Sequence, residues 1–161
     1  MPASELRTRP DLRAAWSTFW MEHVLEVPGR YDRLEQIAKF IEQAGEAAGL
    51  DTVAICRCQL AVDEACTNII EHGYQGEDRG SIEIACEPRA GELVITISDQ
   101  ARPFDDAAVP QPQLGDDLEE LQVGGLGLYF IHQVMDKVEF TREAGTNKLV
   151  LVKKREDIGE K

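Results

Sequence analysis

Apolar residues along this chain fall into two rhythms. Between residues 31 and 49, Leu34, Ile37, Ala38, Ile41 and Ala48 recur at the intervals of one helix face, and Gly49 closes the run. A second helical pattern covers residues 52–72 through Ile55, Val62, Ala65 and Ile69, and Gly73 and Gly76 break it. The period then shortens to two. Ile82, Ile84 and Cys86 share a face of one strand, Leu93, Ile95 and Ile97 of the next, with Arg89-Ala90-Gly91 as the turn between them. A short strand over residues 23–27 precedes Pro28-Gly29. A glycine-opened helix runs from Gly124 to Met135, and residues 137–142 and 148–153 form a closing hairpin around Glu143-Ala144-Gly145. The order predicts an α+β fold, a two-layer sandwich of a mixed, mostly antiparallel sheet with helices on one face.

Two stretches stand outside this pattern. Residues 103–123 carry Pro103, Pro110, Pro112 and the acidic run Asp116-Asp117-Leu118-Glu119-Glu120 with little periodicity, and a loop of that length in a compact domain is usually functional or disordered. Residues 1–22 read as an N-terminal helical extension with Leu12, Ala15, Trp16, Phe19 and Trp20 at helical spacing, a stripe suited to packing on the domain or on a second subunit. The expected organisation is therefore extension 1–22, one domain 23–155, and tail 156–161.

Composition narrows the partners more than the fold. The 161 residues suffice for one domain with a real core. Thirty acidic against seventeen basic residues give a net charge of −13, which repels nucleic-acid backbones and anionic membranes alike. No apolar run approaches the ~18 residues of a membrane span. No export signal is legible at the N-terminus, which points to the cytoplasm. Cys56, Cys58, Cys66 and Cys86 lack the spacing of a zinc site, and the expected role for most of these thiols is to fill the core.

Three constellations could carry chemistry. Glu64 and Asn68, four apart in the second helix, share a face about one turn apart. A carboxylate beside a carboxamide oxygen suits magnesium, and the carboxylate can alternatively serve as a general base. Taken alone, the pair is better explained as a solvated polar helix face. Asp99, directly after a strand, can accept a hydrogen bond from an exocyclic amine or simply satisfy local backbone donors. Gly124-Gly125-Leu126-Gly127-Leu128 at a helix start offers backbone N–H groups and a positive dipole end to phosphates. There is no P-loop, and Phe130 stands where a dinucleotide fingerprint needs its third glycine.

In this order and spacing the three resemble the N, G1 and G2 boxes of the GHKL, or Bergerat-fold, ATPases, and most closely the anti-sigma-factor serine/threonine kinases of the RsbW and SpoIIAB type. The most specific stretch is Leu60-Ala-Val-Asp-Glu-Ala-Cys-Thr-Asn-Ile-Ile-Glu-His-Gly-Tyr74. Asp99…Pro103-Phe104-Asp105, the glycine segment and Gly145-Thr146-Asn147 follow at the family's intervals. The resemblance implies ATP and Mg2+ as cofactors. It implies Asn68 as the magnesium ligand, Glu64 as general base, Asp99 on the adenine amine with Thr146 supporting that pocket, Gly125 and Gly127 at the phosphates, Leu126 and Leu128 beside them in the cofactor site, and residues 105–123 as an ATP lid. Ala101 stands in the adenine-side box where the family usually has glycine, so adenine binding is where divergence is expected. The implied function is phosphorylation of a STAS-type anti-anti-sigma partner by a homodimeric anti-sigma factor that also holds a sigma factor. The alternative is a nucleotide-binding sequestering module without transfer activity. A general GHKL ATPase or histidine-kinase fragment is a third reading, less suited to a chain with no dimerisation-phosphoacceptor helix pair upstream.

Overall fold

The computed structural model describes residues 22–103 and 125–156, with residues 125–127 as backbone only. The expected extension up to residue 21, the lid and Gly124, and the tail from residue 157 lie outside the described residues.

The chain begins with strand β1 (His23–Pro28). A short 3-10 turn over Tyr31–Arg33 leads into helix α1 (Leu34–Ala47). Helix α1 ends as its sequence suggests: the Gly49 amide donates to the Glu46 carbonyl and the Leu50 amide to Gly45, a paired closure that satisfies carbonyls the helix leaves open. Asp51 then caps helix α2 (Thr52–Asn68), its carboxylate accepting from the Ala54 amide at 2.8 Å. Strands β2 (Ser81–Arg89) and β3 (Glu92–Asp99), helix α3 (Gly125–Val134), and strands β4 (Lys137–Glu143) and β5 (Thr146–Lys154) complete the order.

The five strands lie in the order β1-β2-β3-β5-β4, and every pairing among them is antiparallel. Alternation directs Ile82, Ile84 and Cys86, and Leu93, Ile95 and Ile97, to one face, where they are buried. Against that face pack Ile37, Phe40 and Ile41 of α1, Ile55, Cys58 and Val62 of α2, and Ile131 of α3, in one continuous core. Helix α2 lies between its neighbours, packed on α1 and on α3. This is the expected helix-on-sheet sandwich.

One element departs from its sequence pattern. Helical rhythm extends to residue 72, but α geometry ends at Asn68 and a π turn takes over at Ile69–Gly73. Its closing bond runs from the Tyr74 amide to the Ile69 carbonyl at 2.7 Å, five residues back.

Candidate nucleotide site

The sheet brings three sequence-distant segments to one end of its helix-covered face. Asp99 closes β3 and, by strand alternation, continues the inward row of Leu93, Ile95 and Ile97; it is only 8% exposed. Its partner across the β3–β5 ladder is Asn147, 2% exposed, and Asn147 is in turn opposite Arg142 on β4. The Asp99 Oδ1 accepts from the Ala101 amide at 2.9 Å and from Asn147 Nδ2 at 2.9 Å. Asn147 Nδ2 also donates to the Ala101 carbonyl at 3.1 Å, and Arg142 Nη1 donates to Asn147 Oδ1 at 2.6 Å. Among the described residues both donors to Asp99 engage Oδ1 and neither engages Oδ2.

Helix α2 and its π turn form the wall opposite. The buried positions Ala54, Cys58, Ala61, Val62 and Ala65 define the face of α2 turned to the sheet, and Gln59 reaches α1 through its bond to the Ala38 carbonyl. At 100° per residue, Glu64 and Asn68 fall on the other flank, the side of α3, and both are half-buried. Just beyond, Gly73 meets Ala101 so closely that a Cβ at residue 73 would lie 2.8 Å from the Ala101 methyl. Ala101 is itself buried and keeps an ordinary backbone, since the only non-glycine residues with positive φ among those described are Gln75, Asp78 and Ala144. Alanine therefore imposes no backbone strain at this position.

The Tyr74 side chain fixes this corner further. The Tyr74 hydroxyl donates to the Ser81 carbonyl at 2.7 Å and accepts from the Gln100 amide at 3.1 Å, which ties the end of the π turn to both β2 and β3. Burial pushes the Tyr74 phenol up, and it pushes the Cys66 thiol up strongly, with the Asp63 and Asp99 charges adding to the effect on Cys66. At the other end of the sheet, Lys153 is buried on the same face as Asn147, and its Nζ donates to the Val134 carbonyl at 3.0 Å. That contact caps the C-terminus of α3 with a cation. From there Met135 and Asp136 turn the chain back into β4, so α3 runs antiparallel to β4 and aims its N-terminus, Gly125 to Gly127, toward the Asp99 end.

The expected site residues thus divide. Asp99, Ala101 and the Glu64–Asn68 flank border one corner, and the backbone of Gly125, Leu126 and Gly127 opens the helix directed at it. Leu128 is 7% exposed, so its side chain serves the core. Thr146 is one residue before Asn147, and alternation places it on the opposite face of β5; the residue beside Asp99 is Asn147. The odd-numbered row Leu149, Leu151 and Lys153 already carried that signal. No group of three or more His, Cys, Asp or Glu side chains is arranged to hold a metal ion among the described residues. No described helix is long and apolar enough to cross a membrane.

Residues 27–153 match the family model of the histidine kinase-like ATPase domain. A serine-protein kinase RsbW from Listeria monocytogenes serotype 4a is 29% identical over 127 residues, covering 76% of this chain and 81% of the relative. An RsbW serine-protein kinase from Bacillus velezensis is 33% identical over 92 residues, covering 54% of this chain and 57% of the relative. Among solved structures, the RsbU and RsbW domains of a Mycobacterium tuberculosis protein align with a TM-score of 0.58 at 16% identity, covering 83% of this chain and 32% of that one, a likeness of fold.

Proposed function

Because the chain belongs to the histidine kinase-like ATPase domain family, we propose that it is an ATP-dependent serine/threonine protein kinase and anti-sigma factor acting on a STAS-type anti-anti-sigma protein. The observation that carries this reading is the corner at Asp99, where a buried carboxylate is held for an incoming donor beside the Glu64–Asn68 flank of α2. Asp99 would accept the adenine amine. The amides of Gly125 and Gly127 would meet the phosphates at the positive end of α3. Asn68 would offer its carboxamide oxygen to Mg2+, with phosphate oxygens and water completing the shell, a donor set that suits an ion needing no all-protein cage. The ion, when bound, would neutralise phosphate charge. Glu64 would take the proton of the partner's serine or threonine hydroxyl as the γ-phosphoryl group transfers, and the rest of the catalysis is positioning.

The added phosphate would break the complex with the partner through charge and desolvation, freeing this protein to hold a sigma factor. We take the protein to act in the cytoplasm as a homodimer. Its charge of −13 favours protein partners over nucleic acid or membrane.

Labelled ATP and candidate STAS proteins test the proposal. Glu64→Gln should lower transfer by about 10²- to 10⁴-fold while leaving ATP binding intact. ATP bound by the native protein with no label passing to a cognate partner would overturn the kinase reading in favour of a sequestering module.

A further inference from the structure

We propose that Asn147, oriented by Arg142, is a positioning residue that fixes the plane of the Asp99 carboxylate against the bound base and so sets the preference for adenine. The inference rests on the nucleotide site proposed above. An aspartate at a strand end has a broad χ2 and can tilt its carboxylate plane over a wide range. Here Oδ1 is held by two neutral donors, the Ala101 amide and Asn147 Nδ2, each at 2.9 Å. Rotation of the carboxylate would break both bonds. Oδ2 is left to meet the ligand, and an ionised carboxylate oxygen accepts hydrogen bonds only, so it welcomes an amino group and rejects a carbonyl.

Asparagine suits this position for a stated reason. Both Nδ2 hydrogens are used, on Asp99 and on the Ala101 carbonyl, and the Oδ1 accepts from Arg142 at 2.6 Å. The guanidinium has donors only, so it selects the oxygen end of the amide and turns the NH2 end to Asp99. Without Arg142 the amide could flip and set its oxygen against the carboxylate. The three residues form one row across β3, β5 and β4. Among the described residues, the Cys66 thiol on α2 and the Tyr74 phenol also feel the Asp99 charge.

The test is calorimetric titration of the full chain with ATP and with GTP, each variant compared with the native protein at the same pH. Asn147→Ala should weaken ATP binding about 10-fold at every pH and narrow the ATP-to-GTP preference, raising KM for ATP with kcat retained. Asn147→Asp sets two carboxyl groups in hydrogen-bond range, and like charges there cannot both ionise. It should bind ATP about 10-fold more weakly than native protein near pH 8. Near pH 5.5, where a shared proton restores a donor to Asp99, it should recover to within about 3-fold. A simple loss of packing gives no such recovery. Arg142→Ala, at an exposed side chain, keeps the test available if the Asn147 variants fail to fold, and should lower the ATP-to-GTP preference about 3-fold. The proposal is overturned if Asn147→Ala and Arg142→Ala both bind like native protein, or if Asn147→Asp shows no recovery at low pH. A native protein that binds neither nucleotide would overturn the parent reading together with this one.

Discussion

Gly73 and Ala101 share the space of one methyl group. A Cβ on residue 73 would sit 2.8 Å from the Ala101 Cβ, closer than two carbons can remain without movement. Gly73→Ala should therefore cost about 1–3 kcal/mol in urea denaturation and weaken ATP binding by displacing the backbone next to Asp99. Moving the methyl across the contact, with Gly73→Ala and Ala101→Gly combined, should restore most of the loss. A double-mutant coupling near zero would show that the two sites do not touch in solution. At this scale the sequence was readable where a shared face is set by one helix, as with Glu64 and Asn68 four apart. It was less readable where partners come from other strands. Asn147 was visible only through the parity of Leu149 and Leu151, and the fit of Ala101 against Gly73 was not visible at all, since 28 residues separate them.

Elements followed their hydrophobic periods closely because each strand and helix buries one face against the same core. The π turn is the exception. Periodicity in apolar residues cannot separate four-residue from five-residue closure over a single turn, and what fixes this turn is tertiary: Gly73 against Ala101 and the Tyr74 side chain against two strands. A second local conflict lies at the β4–β5 hairpin. Ala144 and Gly145 have φ of 52° and 82°, so both residues of the two-residue loop are left-handed and only one is glycine. Ala144→Asn or Ala144→Gly should raise stability by about 0.5–1 kcal/mol, seen as a higher urea midpoint at unchanged m-value, with the same enzyme kinetics. An unchanged or lower midpoint for both variants would mean that the loop tolerates alanine without strain.

Across the whole molecule, three of the four thiols lie in the core, as their small apolar character suggested, and Cys56 is exposed. Burial pushes Cys58 up from 9.0 to about 12 and raises Cys66 and Cys86 as well. A thiol held protonated in the native state and free to ionise when unfolded binds more protons in the native state at alkaline pH. Stability should therefore be level below the ordinary thiol range and fall as pH rises above about 9, by up to about 1.4 kcal/mol per pH unit for each such thiol. Denaturation midpoints measured between about pH 8 and pH 11 read that slope, and Cys86→Ala should make it shallower. In native protein a maleimide should label Cys56 fast and the other three only on unfolding. The Tyr74 hydroxyl has a different consequence. The Gln100 amide, the first after Asp99, is held by a phenol that also grips Ser81, outside the regular strand ladder. Its hydrogen–deuterium exchange thus becomes a clock for the rigidity of this corner. Tyr74→Phe should speed exchange at Gln100 selectively while the amides in the middle of β3 keep their protection, and ATP should slow the same amide in native protein.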